Sequence, residues 1–209
     1  RSTIGRALTP EEFQKLLIEC KGKPLYTAVF LAGHLGLRCS EINGLCWDCV
    51  NFEEKIIHIR RKRMKVYNEV IFEDRMKTEK SRRDLPMSDA VCEYLQELQR
   101  QQKFDKIKHG ERYVDTDFVC RQKRGKGYVG NAIDVSFARA IKRAGLPKCR
   151  LHDLRHTAAT LALKNGANLK EVQEFLGHSN ISTTANIYAH VDMEQKKSIA
   201  ESLAVSLAG

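Results

Sequence analysis

The sequence lacks the segments that mark several large classes of protein. No apolar run approaches the roughly 20 residues that a membrane-spanning helix needs, and the N-terminus has no apolar stretch like that of a signal peptide. No Walker A motif is present, which argues against an ATP-driven motor. No serine or cysteine lies in a recognisable nucleophile elbow. A spanning protein, an ATPase and a serine hydrolase are therefore poor fits to this sequence.

Metal chemistry also has little support. A metal-dependent nuclease needs clustered carboxylates to hold Mg²⁺, and the nearest candidates, Asp115-Thr116-Asp117 and Glu53-Glu54, have no evident partners. The seven cysteines are scattered, and Cys46-Trp47-Asp48-Cys49 has no second pair of zinc ligands at a plausible spacing. We therefore expect reduced thiols, no metal ion and no cofactor.

The most informative property of the composition is an excess of positive charge. The 209 residues include 36 Lys and Arg against 26 Asp and Glu, which gives a formal net charge of +10. Such a surplus predicts a polyanionic partner, with nucleic acid ahead of an acidic membrane surface. The length suits one large domain, since no linker or internal repeat divides it. Because the sequence does not begin with methionine, we expect a fragment of a longer chain.

Hydrophobic spacing predicts a mainly helical α+β fold with one small antiparallel three-stranded sheet. Thr9, Pro10 and Glu12 form the signature of a capped helix start. Further helices are predicted over residues 25–35, 40–45, 88–102, 131–144, 153–165 and 169–176, with a last one from residue 192. Strands are predicted over 55–60, 69–72 and 82–86, joined by basic turns, with a short strand near 118–120 in an otherwise irregular stretch over 104–130.

Several residues suited to phosphate chemistry occur along the sequence. In His152-Asp153-Leu154-Arg155 an imidazole and a guanidinium share one helical face if the helix has begun by His152. Arginine offers a planar fork that matches phosphate oxygens, and histidine transfers a proton near neutral pH. Arg38 and Lys77 lie upstream, and Tyr188 lies 10 residues after His178. Each of these taken alone has an ordinary alternative, such as a surface ion pair or a core tyrosine.

Taken together and in this order, the motifs resemble those of the tyrosine recombinase (phage integrase) family, and most of all the integrases of Gram-positive conjugative transposons. The matching segments are residues 36–42 (GLRCSEI), 76–78 (MKT) with 81–83 (SRR), 152–157 (HDLRHT), 176–178 (LGH) and 188–190 (YAH). The resemblance implies the catalytic fold shared with type IB topoisomerases. It also implies a bacterial, cytoplasmic, DNA-associated enzyme that integrates and excises a mobile element.

The resemblance implies a chemistry of DNA strand breakage and rejoining. Tyr188 would attack a DNA phosphate, forming a 3′-phosphotyrosine and releasing a 5′-hydroxyl. Arg38 and Arg155 would hold the non-bridging phosphate oxygens, which takes over the electrostatic role of a metal ion. Because the phosphotyrosine retains the free energy of the broken bond, resealing would need no ATP.

Proton transfer and positioning are implied for five further residues. Lys77 would protonate the leaving 5′-oxygen, with nearby Lys80 as the alternative general acid. His152 would transfer a proton at the phosphate or the tyrosine, and His178 would hydrogen-bond the phosphate. Glu41, one helical step from Arg38, would position the active-site residues.

Basic residues beyond the expected catalytic set predict contacts with the phosphates of double-stranded DNA, which position a protein without specifying sequence. They are Arg60, Arg61, Lys62 and Arg63, then Lys80, Arg82 and Arg83, and last Lys123, Arg124 and Lys126. A solvated basic loop is the alternative for the last group.

The resemblance also predicts how the chain is organised. It implies a catalytic domain over residues 1–191 and a tail helix over 192–209 that docks on its own domain or on a neighbour in a homodimer or homotetramer on DNA. We expect the family's N-terminal core-binding domain to be absent from this sequence. A type IB topoisomerase, a DNA-binding module without catalysis and a metal-dependent nuclease are the alternatives.

Overall fold

The computed structural model describes residues 6–66, 69–73 and 82–177. The helices are α1 (Pro10–Cys20), α2 (Leu25–Leu35), α3 (Cys39–Gly44), α4 (Asp89–His109), α5 (Ala132–Arg143), α6 (Asp153–Lys164) and α7 (Leu169–Leu176). The strands are β1 (Val50–Asn51), β2 (Ile56–Ile59), β3 (Lys62–Val66), β4 (Glu69–Glu73) and β5 (Arg83–Pro86). The predicted mainly helical α+β class is confirmed. No described helix is both long and apolar enough to cross a bilayer.

Helix α1 begins where its capping signature predicts. The Thr9 hydroxyl accepts a hydrogen bond from the Glu12 amide at 3.2 Å, and the Glu12 carboxylate accepts one from the Thr9 amide at 2.9 Å. These reciprocal bonds satisfy two backbone donors that a helix start otherwise leaves unpaired. The buried face of α1, which includes Phe13 and Leu16, packs against α2.

Helix α2 lies in the middle of the fold because almost all of its surface is apolar. It contacts α1, α3, α5 and α6, and its buried side chains include Val29 and Leu31. The helix ends at Gly36 with φ of 61°, a left-handed conformation that glycine adopts without strain. A Cβ atom at Gly36 would lie 2.3 Å from Cδ2 of Leu176, so the absent side chain also allows the end of α7 to approach.

The described strands form two sheets: a three-stranded antiparallel sheet is present as predicted, but the predicted strand over residues 69–72 lies outside it. β1, β2 and β5 form an antiparallel sheet whose inward face carries Ile57 and Leu85. β4 pairs instead with β3, which is the basic stretch that the sequence predicts to be a turn. This stretch is stable as a strand because Lys62 pairs with Glu73 at 3.0 Å and the Arg63 guanidinium lies 4.7 Å from the centre of the Phe118 ring.

Three predicted boundaries differ from the structure. α3 spans Cys39–Gly44 instead of the predicted residues 40–45, and the Glu41 carboxylate accepts a hydrogen bond from the Arg38 amide at 2.9 Å, which caps its start. α4 continues to His109, seven residues beyond the predicted end at residue 102, although Phe104 and Ile107 in its last turns are exposed. The strand predicted near residues 118–120 is a single bridge between Cys46 and Phe118.

Candidate active site

The start of α6 places an imidazole and a guanidinium in one turn of helix. The buried Asp153 carboxylate accepts hydrogen bonds from the amide and the guanidinium of Arg150, at 2.8 and 2.9 Å. Burial alone would raise the Asp153 pKa, but these bonds hold it below its ordinary value. The ionised carboxylate therefore fixes the first turn of α6, from which His152 faces solvent and Arg155 faces the interior.

Arg155 is almost fully enclosed, with 1% of its surface exposed. Its Nη1 donates to the Gly36 carbonyl at 2.7 Å and its Nη2 to the Leu176 carbonyl at 2.5 Å. Burial, assisted by the nearby charge of Arg38, lowers the pKa of Arg155 to about 9. The guanidinium is thus held by the ends of two helices, α2 and α7, in a setting where its charge is poorly solvated and acts strongly on any anion that reaches it.

Arg38 lies immediately before α3 and reaches toward the same helix end. Its Nη1 donates to Oε1 of Glu41 at 2.7 Å and its Nη2 to the Gly177 carbonyl at 2.8 Å. About a third of its side chain remains exposed, at 32%. Arg38 therefore combines a fixed orientation with access from solvent.

Glu41 is the buried counter-ion of the site, with 2% of its surface exposed. Burial alone would raise its pKa, but hydrogen bonds and charge from Arg83, together with the charge of Arg38, lower it to about 2. Its carboxylate is therefore ionised over the whole physiological range. This geometry agrees with the expectation that Glu41 positions Arg38, and its role in the reaction stays a prediction.

Two histidines lie one helical turn apart at the start of α6: His152, which precedes the helix, and His156 within it. The rings of His152 and His156 meet edge to face, with centroids 5.6 Å apart and planes at 88°. The surrounding protein partly desolvates both rings, although His152 is exposed overall, and so lowers the pKa of both; the positive charge of Arg155 lowers each further. His152 is therefore neutral near pH 7, the state in which an imidazole accepts a proton. Nδ1 of His156 is buried and has no hydrogen-bond partner among the described residues.

Comparison with known proteins agrees with this arrangement of residues. Residues 6–195 match the model of the phage integrase family. The chain belongs to the phage integrase family. The "Tyrosine recombinase XerC-like" protein of Caldanaerobacter subterraneus subsp. tengcongensis is 36% identical over 212 residues, covering 92% of this chain and 52% of that protein. The "Transposase from transposon Tn916" of Enterococcus faecalis is 27% identical over 197 residues, covering 90% and 48%. The chain thus spans about half the length of these relatives.

Solved structures of family members share the fold. A Tn1549 transposon integrase in complex with transposon right end DNA superposes with a TM-score of 0.76 at 26% identity, covering 95% of this chain and 66% of that one. The XerA recombinase superposes with a TM-score of 0.73 at 22% identity, covering 95% and 66%. The second likeness concerns the fold alone. Together with the family match, the first confirms the resemblance drawn from the motifs.

Four of the expected site residues lie together in the described part of the chain. Arg38, Glu41, His152 and Arg155 come from α3, the segment before it and α6. The remaining expected residues, Lys77, Lys80, His178 and Tyr188, lie outside the described residues, as does the tail over residues 192–209. The roles of these residues therefore stay predictions.

The basic residues expected to face DNA fall into two groups. Those near β3 are engaged within the protein: Arg60 with Asp84 at 2.5 Å, Arg61 with Asp48 at 2.5 Å, Lys62 with Glu73, and Arg63 with Phe118 and the Tyr128 carbonyl. By contrast, four residues are exposed to solvent: Arg82, Lys123, Arg124 and Lys126. The second group provides the accessible cations among the described residues that are expected to contact DNA.

Arg83 is a residue whose place the sequence pattern does not predict. Its basic neighbours place it on the DNA surface, but it is buried, and its Nη1 and Nη2 donate to the two carboxylate oxygens of Glu41, both at 3.0 Å. Its Nε donates to the Phe175 carbonyl at 3.0 Å. These bonds engage all three guanidinium nitrogens, so the described structure gives no support to the expected contact of Arg83 with DNA. The signal that identifies its place is strand alternation, since Arg83 and the buried Leu85 lie on the same face of β5.

One group of potential metal ligands occurs among the described residues. The donor atoms of Cys46, Asp48 and Asp117 lie within 4.8 Å of one another. However, the Asp48 carboxylate is held by Nη1 of Arg61 at 2.5 and 2.7 Å. Burial also raises the pKa of the Cys46 thiol to about 11, and the guanidinium of Arg61 adds positive charge beside the three donors. As arranged, these donors do not fit a divalent cation.

Proposed function

We propose that the chain is the catalytic part of a site-specific DNA recombinase that breaks and rejoins DNA through a 3′-phosphotyrosine intermediate, integrating and excising a mobile element. The observation that carries the proposal is the convergence of Arg38 and Arg155 on the end of α7, directly before the segment that bears His178 and Tyr188. Family membership and the likeness to a transposon integrase in complex with DNA support it.

In the proposed reaction, Tyr188 is the nucleophile and the arginines stabilise the charge that develops on the phosphate. A phenol with an ordinary pKa of about 10 is a weak nucleophile at pH 7, so it needs a nearby base or cations. His152, neutral and exposed, is suited to accept the phenolic proton. Lys77, or its neighbour Lys80, donates a proton to the leaving 5′-oxygen, and His178 hydrogen-bonds the phosphate.

The charge of the described site suits this role. Three guanidiniums, those of Arg38, Arg83 and Arg155, surround the single carboxylate of Glu41. The balance leaves a net positive site that requires no metal ion to attract a phosphodiester. The exposed side chains of Arg82, Lys123, Arg124 and Lys126 extend the positive surface and position the duplex through its phosphates.

The proposed organisation is a catalytic domain over residues 1–191 followed by a tail helix over 192–209. The tail docks on its own domain or on a neighbouring protomer, and a homodimer or homotetramer assembles on double-stranded DNA. Truncation after His190 tests this role, because unchanged assembly and cleavage would remove the tail from the mechanism.

A suicide DNA substrate carrying candidate element ends tests the proposed chemistry in the full-length protein. Cleavage of a nicked site releases a short strand, so the covalent protein–DNA adduct accumulates and is counted on a denaturing gel. We expect an adduct with the unmodified protein, none with Tyr188→Phe, and DNA binding by both. EDTA should leave adduct formation intact, and its loss on chelation would contradict the mechanism.

The same experiment separates the alternatives. A non-catalytic DNA-binding module gives binding without an adduct at any concentration. A type IB topoisomerase gives an adduct and relaxes supercoiled DNA without joining two sites. A recombinase exchanges strands between two sites placed on one plasmid.

A further inference from the structure

The carboxyl end of α7 is held by three arginines that come from three different parts of the chain. Arg83 of β5 donates to the Phe175 carbonyl at 3.0 Å. Arg155 of α6 donates to the next carbonyl, that of Leu176, and Arg38, just before α3, donates to that of Gly177. Three consecutive carbonyls are thus satisfied by cations, which also complement the negative end of the helix dipole.

We propose that Arg83 is a positioning residue of the active site, which fixes Glu41 behind Arg38 and fastens the end of α7 directly ahead of His178. The inference rests on the proposed function. It replaces the expectation that Arg83 contacts DNA, and it concerns a residue outside the arginine, lysine, histidine and tyrosine set that the family resemblance implies for catalysis.

The geometry of Arg83 leaves none of its guanidinium nitrogens available to bind a phosphate. Its side chain is 7% exposed, and all three of its nitrogens are engaged, two with Glu41 and one with the Phe175 carbonyl. The two parallel bonds to Glu41 form the bidentate pairing that a guanidinium makes with a carboxylate and that a lysine cannot copy. A Cβ atom on Gly177 would lie 3.0 Å from Cδ of Arg83, so the glycine there leaves room for this packing.

The electrostatic consequence concerns Arg38. Glu41 accepts from Arg38 and Arg83 through the same oxygen, Oε1, at 2.7 and 3.0 Å. With Arg83 present, its guanidinium neutralises the Glu41 carboxylate, and the positive charge of Arg38 remains available to a phosphate. Without Arg83, the buried carboxylate would have Arg38 as its remaining ion-pair partner and would compete with DNA for it.

Arg83→Gln and Arg83→Lys, made in the full-length protein, test the inference. The suicide-substrate adduct rate measures chemistry, and DNA affinity measured over a range of salt concentrations measures phosphate contacts. We expect Arg83→Gln to lower the adduct rate on the order of 10²-fold, the scale of a small misplacement of catalytic groups. Its DNA affinity and salt slope should match those of the unmodified protein. Arg83→Lys keeps the positive charge but cannot form the bidentate pair with Glu41. Its adduct rate should lie between those of Arg83→Gln and the unmodified protein.

A pH profile separates positioning from general structural damage. Arg38, Arg83 and Arg155 are the charged groups that act on Glu41, and removal of Arg83 leaves burial to raise the pKa of its carboxyl. Both proteins should lose adduct rate in acid as His152 is protonated, but Arg83→Gln should begin to lose it at a higher pH, because Glu41 protonates there and no longer orients Arg38. Arg100→Gln, which removes a surface ion pair with Glu97 on α4, is the matched control and should change neither rate nor profile.

Two comparisons decide the outcome. Arg82→Gln removes the exposed neighbour and should reduce the salt slope by about one, the value for a single phosphate. If Arg83→Gln behaves like Arg82→Gln, or forms adduct at the unmodified rate, the inference is overturned. If Arg83→Gln does not fold, Arg83→Lys decides, since an unmodified rate there also overturns it. Absence of an adduct with the unmodified protein overturns the proposed function, and this inference with it.

Discussion

Replacement of Gly36 by alanine should destabilise the protein through two separable effects. The residue has φ of 61°, and a left-handed conformation costs a non-glycine residue about 1–2 kcal/mol. In addition, the new Cβ would lie 2.3 Å from Cδ2 of Leu176. Overpacking of this kind in a closely packed interior costs about 1–3 kcal/mol. The sum is a loss of about 2–5 kcal/mol in the free energy of unfolding.

Gly22 provides a matched control for the backbone contribution. It has φ of 74°, and no heavy atom outside its chain neighbours lies within 4 Å of the place a Cβ would take. Gly22→Ala therefore has the strain without the clash. For a chain of 209 residues, 1 kcal/mol corresponds to roughly 2–4 °C in Tm. Gly36→Ala should thus unfold at a temperature roughly 2–12 °C below that of Gly22→Ala.

Urea titration and thermal melts followed by circular dichroism measure this difference. The adduct rate, taken well below both melting temperatures, should also fall for Gly36→Ala, because the displaced Leu176 carbonyl is a partner of Arg155. Equal stability of the two variants would refute the argument that the close approach of α2 and α7 depends on the missing side chain.

Three further predictions concern charged residues. The Glu41 carboxyl has a pKa of about 2 against an ordinary 4.5, so its stabilising effect is complete above pH 4.5 and is lost as the pH falls toward 2. The difference in unfolding free energy between the unmodified protein and Glu41→Gln should thus be largest near pH 7, on the order of 3 kcal/mol, and shrink in acid, while a constant difference would contradict the assignment. Arg155→Lys should reduce the adduct rate by about 10²–10³-fold with DNA still bound, and an unaffected rate would remove Arg155 from the chemistry. Replacing Lys123, Arg124 and Lys126 together by glutamine should reduce the slope of log affinity against log salt by about one for each phosphate that these cations neutralise, and an unchanged slope would place this loop off the DNA.

The local signals in the sequence predict much of the helical framework. The capping residues around Thr9 and the apolar run before Gly36 set the start of α1 and the bounds of α2, because both depend on interactions within a few residues. The end of α4 and the pairing of β3 with β4 do not follow from such signals. Both depend on contacts with distant residues, such as the stacking of Arg63 on Phe118.

The candidate site shows the same division. Ordered motifs identify Arg38, Glu41, His152 and Arg155 because their spacing is a property of the chain itself. Arg83 looks like a surface residue because it follows Arg82 in a basic run, and a run of charges gives no indication of which side chain points inward. The pairing of β2 with β5 decides that, since it places Arg83 opposite Ile59 on the buried face.

The sequence by itself determined the family, the mainly helical class and the residues suited to phosphate chemistry, since motif order and helical periodicity are local properties. Only the tertiary structure decided which cations are accessible to DNA and which hold the site together. A guanidinium is one kind of residue in a sequence, but its role depends on whether a carboxylate, a helix end or solvent lies opposite. At Arg83 all three nitrogens meet Glu41 and Phe175, whereas Arg82 beside it faces solvent.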